Sequence, residues 1–290
     1  MATTKTVKIP GLETGKFEPP PAAKNRMSWC GFGETKTGKT SFGLSAGGPL
    51  VVVDIDRRLE RVIDPFAEQK DIVVYRVDMP KVDPVSRKKD ELVLKQAGEM
   101  WDKFLTHYDL ALKSSMLPGG VRNIVIDTGT ELFDLRLMAE FGRLMGINPR
   151  DRGGANAEFM EVIRRYEQYN ASTIWLHHSK AEWKNVMDER GNEKGTTTGR
   201  QIVDGFNRVN SIVQNVVQTS FNDTAKDPRK RFEVTVLRCG VNSKINNLKV
   251  TSMDWAIWDE DDKETPIANY GPFAYLSSLA VPGTEPEYGM

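Results

Sequence analysis

The stretch Gly33-Glu34-Thr35-Lys36-Thr37-Gly38-Lys39-Thr40 decides how this chain is read. It satisfies G-x-x-x-x-G-K-[ST] at every fixed position. Glycine adopts torsions that other residues resist, so a loop of this kind can wrap an anion with its N–H groups turned inward. At this spacing Lys39 reaches the terminal phosphates of a nucleotide as a point charge, and Thr40 offers its hydroxyl to Mg²⁺. Gly33, Glu34, Thr35, Lys36, Thr37, Gly38, Lys39, Thr40 and the following Ser41 are therefore the expected nucleotide-binding set, with ATP and Mg²⁺ as ligands. The flanks agree. Met27 to Phe32 reads as a short strand, and Ser41 to Ala46 can open a helix whose positive end faces the anion.

Outward from the loop, strand and helix patterns alternate. Leu50-Val51-Val52-Val53 and Ile124-Val125-Ile126 are unbroken apolar runs, as expected of strands covered on both faces. Ile72 to Tyr75 and Thr173 to Leu176 are further strand candidates. Asp90 to Leu112 carries apolar residues at helical spacing, and Leu132 to Met145 and Ala157 to Asn170 also read as helices. Beyond Gly199 the pattern turns β-rich, at Ser211 to Thr219, Arg231 to Arg238 and Leu248 to Trp258. The expected fold is α/β: a mostly parallel sheet flanked by helices, with antiparallel strands toward the C-terminal edge. The expected divisions are a flexible lead-in over 1–25, a core over 26–250 and an acidic extension over 251–290.

Holding Mg²⁺ takes a second oxygen ligand. Asp127 ends the run Ile124-Val125-Ile126, at the strand end where ligands collect in open α/β sheets. Thr40 and Asp127 are thus the expected metal pair. Hydrolysis also needs a group that orients or deprotonates water. Two positions offer one: Val53-Asp54-Ile55-Asp56, at the end of the next strand, and Glu131, four residues beyond Asp127.

The order of these parts resembles the RecA-like ATPases: phosphate loop, a strand ending in a carboxylate, I-V-I-D-T, then a strand ending in a polar residue. More closely it resembles the compact phage RecA-like proteins of the Sak single-strand-annealing group. The likeness spans about Met27 to Val250 and is most specific at the phosphate loop. It implies a RecA-like core, with Asp56 activating water and His178, in Leu176-His177-His178-Ser179-Lys180, sensing the γ-phosphate. Lys39, Asp56 and His178 are then the catalytic set. RecA proper carries a glutamate where this chain has Asp56. The likeness also implies single-stranded DNA as a partner, a ring or filament of identical chains, and work alongside a single-strand-binding protein. Two stretches match the DNA-facing loops: Gly142 to Gly154, with Arg143, Arg150 and Arg152, and Trp183 to Arg200, with Lys184, Arg190, Lys194 and Arg200. Cations there would hold phosphates, and Trp183 could stack on a base. The alternative is two exposed, solvated loops or a β-hairpin tip. A helicase, helicase loader or packaging motor, a nucleotide-gated scaffold and a small-substrate phosphotransferase are the competing functions.

Composition sets the outer limits. The 290 residues carry 40 basic and 40 acidic side chains. From Thr251 onward eight acids meet one lysine, so that segment holds −7 and the remainder +7. A basic body leaves a nucleic-acid partner open. No apolar run is long enough to cross a bilayer, and no leader is expected from Met1 to Pro20. Two cysteines are too few for a disulfide framework, so the expected compartment is a reducing cytoplasm, the host's if the chain is viral.

Overall fold

A computed structural model describes residues 26–68, 70–83, 87–187, 193–227, 230–252, 257–258, 264–265 and 271–280. Strand β1 (Ser28–Gly33) runs into the glycine-rich loop and α1 (Lys39–Leu44) leaves it. Then come β2 (Leu50–Asp54), the short α2 (Asp64–Ala67), β3 (Ile72–Arg76), α3 (Glu91–Ser114), β4 (Asn123–Asp127), α4 (Gly129–Phe141) and α5 (Gly153–Arg164). The second half holds β5 (Ser172–Met187), β6 (Glu193–Val203), α6 (Val209–Ile212), β7 (Asn215–Phe221), β8 (Phe232–Cys239) and β9 (Lys249–Thr251). A small ribbon of β10 (Ile257–Trp258) and β11 (Glu264–Thr265) precedes α7 (Pro272–Ala280).

The large sheet has the order β3-β2-β4-β5-β1-β7-β8-β9, with β6 attached to β5. From β3 to β7 all pairs are parallel. β8, β9 and β6 are antiparallel additions. The α/β architecture with a mostly parallel sheet is therefore as expected. Both sheet faces are covered, which is why the strands read as continuous apolar runs. One face packs Cys30, Phe32, Ile124, Ile126 and Trp175 under α3 to α5, where Trp101, Phe104, Tyr108 and Phe159 supply most of the ring surface. The other packs Trp29, Val52, Val125, Ile174 and Leu176 against Phe42 and Leu44 of α1.

Local chemistry sets the boundaries. The Asp90 carboxylate accepts from the N–H groups of Leu92 and Val93, capping α3. Thr128 caps α4 three residues earlier than the apolar spacing alone suggests, and Gly142 in the left-handed region (φ 63°) ends it at Phe141 rather than Met145. Two expectations need correction. Trp183 to Arg200 is not a flexible loop: its described residues form the outer part of a two-stranded ribbon, because β5 runs on past the sheet and β6 returns along it. The core also continues past Val250. Phe273, Leu276 and Leu279 of α7 are buried, with the Phe273 ring 5.4 Å from Trp29 and 5.6 Å from Phe42. Trp255 and the acids at 259–262 lie outside the described residues. Among the described residues, no helix is long and apolar enough to cross a membrane.

Candidate functional site

Parallel pairing brings the C-terminal ends of four strands to one edge. In register, Gly33 lies beside His178, and Asp54 beside Asp127. The sheet order places β5 between the strand of the phosphate loop and the strand of Asp127.

The loop is built as its motif requires. Gly38 has φ 84°, a conformation that favours glycine, and it starts α1. At Gly33 the constraint is space: a Cβ would sit 2.4 Å from both the carbonyl and the hydroxyl oxygen of Thr219. Thr37 Oγ1 donates to Glu34 O at 2.8 Å and lies 2.8 Å from Thr219 Oγ1, so β7 supports the loop from beneath. Lys39 Nζ donates to Gly33 O (2.9 Å) and Glu34 O (2.5 Å). Burial lowers the pKa of its ammonium, while the nearby Asp127 carboxylate pushes it back up. Glu34, Thr35 and Lys36 face solvent on the outer turn, and Ser41 stands in the first turn of α1.

Thr40 Oγ1 donates to Asp127 Oδ2 at 2.7 Å. The expected metal pair, 87 residues apart in sequence, is thus in direct contact. Burial pushes the Asp127 carboxyl up to about 6, against the stabilising bond from Thr40. Such a buried carboxyl beside a hydroxyl and an ammonium suits a hard divalent cation, which would restore its charged form. A loop bounded by Gly33 and Gly38, followed by Lys39 and this pair, also fits a polyphosphate.

The second cluster is Asp56, Glu131 and His178, each offering one ligand atom within 4.8 Å of the others. His178 Nε2 and Glu131 Oε1 are 3.0 Å apart, and this bond raises the pKa of the imidazole. Asp56 pairs with Arg58 at 3.1 Å; burial, then the Glu131 charge, raises its pKa. These three atoms could hold a cation, or share a proton beside Lys39. Asp54 plays another part, as its alternation with Asp56 suggests. It is buried, accepts from Arg57 N at 3.0 Å, and so fixes the turn that presents Asp56.

Glu131 is brought into the site although the family resemblance points to Asp56 alone. Its signal is spacing, since the first turn of α4 returns it above Asp127. Thr130 had no such signal: its hydroxyl accepts from His178 N at 3.0 Å and aligns the end of the parallel part of β5. His177 is fully buried and is kept from charging by that burial, its pKa pushed down to about 4. His107 stacks on Tyr75 at 4.0 Å, a packing role.

The basic residues of the two expected DNA stretches separate. In the first, Arg143 donates to Arg87 O, and Gly142 and Gly146 pack against the segment at Arg87 and Asp90. Arg152 is partly buried near Asp134, while Arg150 is exposed. Gly142 to Gly154 is thus anchored at its start to the segment at Arg87 and Asp90 and by the buried Ile147, while Asn148 to Asp151 face solvent. In the second, Lys184, Lys194 and Arg200 are exposed on the β5–β6 ribbon; Arg190 lies outside the described residues. The ribbon is tied to the phosphate loop by Gln201 Nε2, which donates to Glu34 Oε1 at 3.1 Å. Trp183 and Met187 project from it, 64% and 69% exposed. No known protein family and no curated protein matches the chain.

Proposed function

We propose that this chain is a RecA-like P-loop ATPase that hydrolyses Mg-ATP and couples the cycle to single-stranded DNA, in viral recombination or annealing. The observation that carries the nucleotide part is the 2.7 Å bond between Thr40 and Asp127, beside Lys39 and at the mouth of a loop whose Gly33 has no room for a Cβ. Mg²⁺ would supply charge neutralisation at the phosphate oxygens. The chain's own groups supply the rest. Lys39 would leave the Gly33 and Glu34 carbonyls for the terminal phosphates. The Asp56 carboxylate would accept a proton from the attacking water as its oxygen bonds to the γ-phosphorus and the bond from that phosphorus to the departing ADP oxygen breaks. The bond to Glu131 raises the pKa of the His178 imidazole and so favours the charged form that would face the γ-phosphate.

The DNA part rests on the ribbon. It carries Lys184, Lys194, Arg200 and Trp183, and Gln201 bonds to Glu34 at its base, a contact through which DNA on the ribbon would act on the loop. A ring or filament of identical chains would bring a basic side chain from one copy to the site of the next. The test is steady-state ATP hydrolysis with and without single-stranded DNA for the parent, Lys39→Ala and Asp56→Asn. The reading expects DNA-stimulated turnover that both substitutions abolish. Turnover indifferent to DNA would instead indicate a small-substrate phosphotransferase or a nucleotide-gated scaffold.

A further inference from the structure

Beside the phosphate loop lie two aromatic rings that the core does not use. Phe221 ends β7 and Phe232 begins β8, directly opposite each other in register. Their rings meet edge to face, with centroids 5.0 Å apart at 63°. Both are exposed, at 44% and 38%. Further in along the same face, Val217 and Val234 are buried with Phe42 of α1. Two residues before Phe221, Thr219 bonds to Thr37 of the loop. The sheet face that supports the loop therefore runs outward into an uncovered aromatic pair. Phe232 also reaches the loop: its ring lies 3.2 Å from where a Cβ on Gly38 would stand.

We infer that Phe221 and Phe232 form the platform on which the base of the bound nucleotide stacks. The inference rests on the nucleotide-binding reading above, and it names the subsite that reading lacks. The occupant follows from position. A nucleotide whose phosphates lie along Gly33 to Thr40 carries its base at the end of a short ribose tether, and Phe232 adjoins that loop at Gly38. An aromatic face accepts any base, with a larger gain for the two rings of a purine. The class of ligand is thus nucleoside di- and triphosphates, purines first, with little discrimination by hydrogen bonding.

The test is calorimetric titration of the full chain with Mg²⁺ and, in turn, ATP, CTP and inorganic tripolyphosphate. It uses the parent, Phe232→Ala, Phe221→Ala, Phe232→Trp and Lys39→Ala. The parent is expected to bind ATP more tightly than CTP and CTP more tightly than tripolyphosphate. Phe232→Ala is expected to weaken ATP about tenfold and leave tripolyphosphate unchanged. Phe232→Trp should keep ATP affinity and add a fluorescence change on ATP that tripolyphosphate does not produce. Lys39→Ala should weaken all three ligands. Equal affinity of the parent for ATP and tripolyphosphate overturns the platform and leaves the phosphate loop standing, as does ATP affinity untouched by both alanine variants. A parent that binds none of the three ligands overturns the nucleotide reading itself, and the platform with it. Thermal melts of each variant show whether it is folded; if Phe232→Ala is not, Phe221→Ala and Phe232→Trp decide.

Discussion

Two stretches of this chain share a vocabulary. Gly33 to Thr40 and Lys194 to Arg200 are both rich in glycine, threonine and basic residues, the first with Glu34 added. The first is locked: Lys39 bonds to two loop carbonyls, Thr37 to Glu34 and Thr219, and Thr40 to Asp127. The second is one edge of a ribbon in which Thr196 and Thr197 face Lys184 and Trp183, and most side chains meet solvent. The contrast shows that composition makes neither a phosphate site nor a strand. A buried strand before, a helix after and a second strand beneath turn the same residues into a cradle; a pleated partner turns them into a ladder.

The largest effect should fall on Lys39, whose side chain is buried against the loop, whereas the loop's other lysine, Lys36, faces solvent. Lys39→Ala should lower ATP hydrolysis at least about a hundredfold, while the melting temperature stays near the parent's. An equal loss from Lys194→Ala would erase the distinction between the two stretches. Next comes packing. Gly33→Ala places a methyl group against Thr219 oxygens and should destabilise the protein by about 3 kcal/mol in urea unfolding. Gly195→Ala meets only the Trp183 ring at 3.6 Å, an ordinary contact, and should stay within about 0.5 kcal/mol. Equal costs at the two glycines would mean that the loop is as open as the ribbon.

The same contrast explains what the sequence makes legible. The loop announces itself because its chemistry needs fixed residues at fixed spacing. Asp127 follows from an apolar run with a carboxylate at its end. The sheet follows from runs too apolar for a strand with one wet face. Thr219 and Thr130, however, act through contacts made by strands and helices far apart in the chain, and no local pattern marks them. Trp183 to Arg200 leaves loop and hairpin tip undecided because it has no apolar alternation; its strands are held by backbone pairing with both faces largely wet, a case in which side-chain period carries no signal. α7 was hidden for another reason. Charge summed over 251–290 labels the whole segment acidic, although the stretch 265–284 around Phe273 and Leu276 carries no charged side chain.

Neighbouring histidines allow a sharper test of locked against open surroundings. His177 is buried and neutral, with its pKa pushed down to about 4; His178, bonded to Glu131, is shifted upward. Between pH 6.5 and 4 the unfolded chain binds a proton at His177 that the folded chain refuses, so this group's contribution falls as pH falls. Asp127 and Asp134, both raised to about 6 by burial, oppose it over much of the same range, because their folded forms hold protons better. The parent's profile alone is therefore ambiguous, and a difference is needed. From pH 7.5 to 4.5, His177→Gln should gain about 2 kcal/mol of unfolding free energy relative to the parent. Parallel profiles would mean that His177 is not the buried neutral group its position indicates.

The smallest effect concerns the ribbon. Trp183 is 64% exposed and covers little beyond Gly195, so its removal should change stability by less than about 0.5 kcal/mol. Stacking on one base is worth about 1–3 kcal/mol, so Trp183→Ala should weaken single-stranded DNA binding roughly tenfold, measured by fluorescence anisotropy. Lys184→Ala should act differently: it should weaken binding more modestly and flatten the salt dependence, because it removes a phosphate contact rather than a stacking face. Stability and DNA affinity then move in opposite regions of the molecule, the first at Gly33 and the second at Trp183. If Trp183→Ala leaves DNA binding intact but lowers stability, the ribbon is a structural arm of the sheet. The link from Gln201 to Glu34 would then hold the phosphate loop in place without carrying a signal to it.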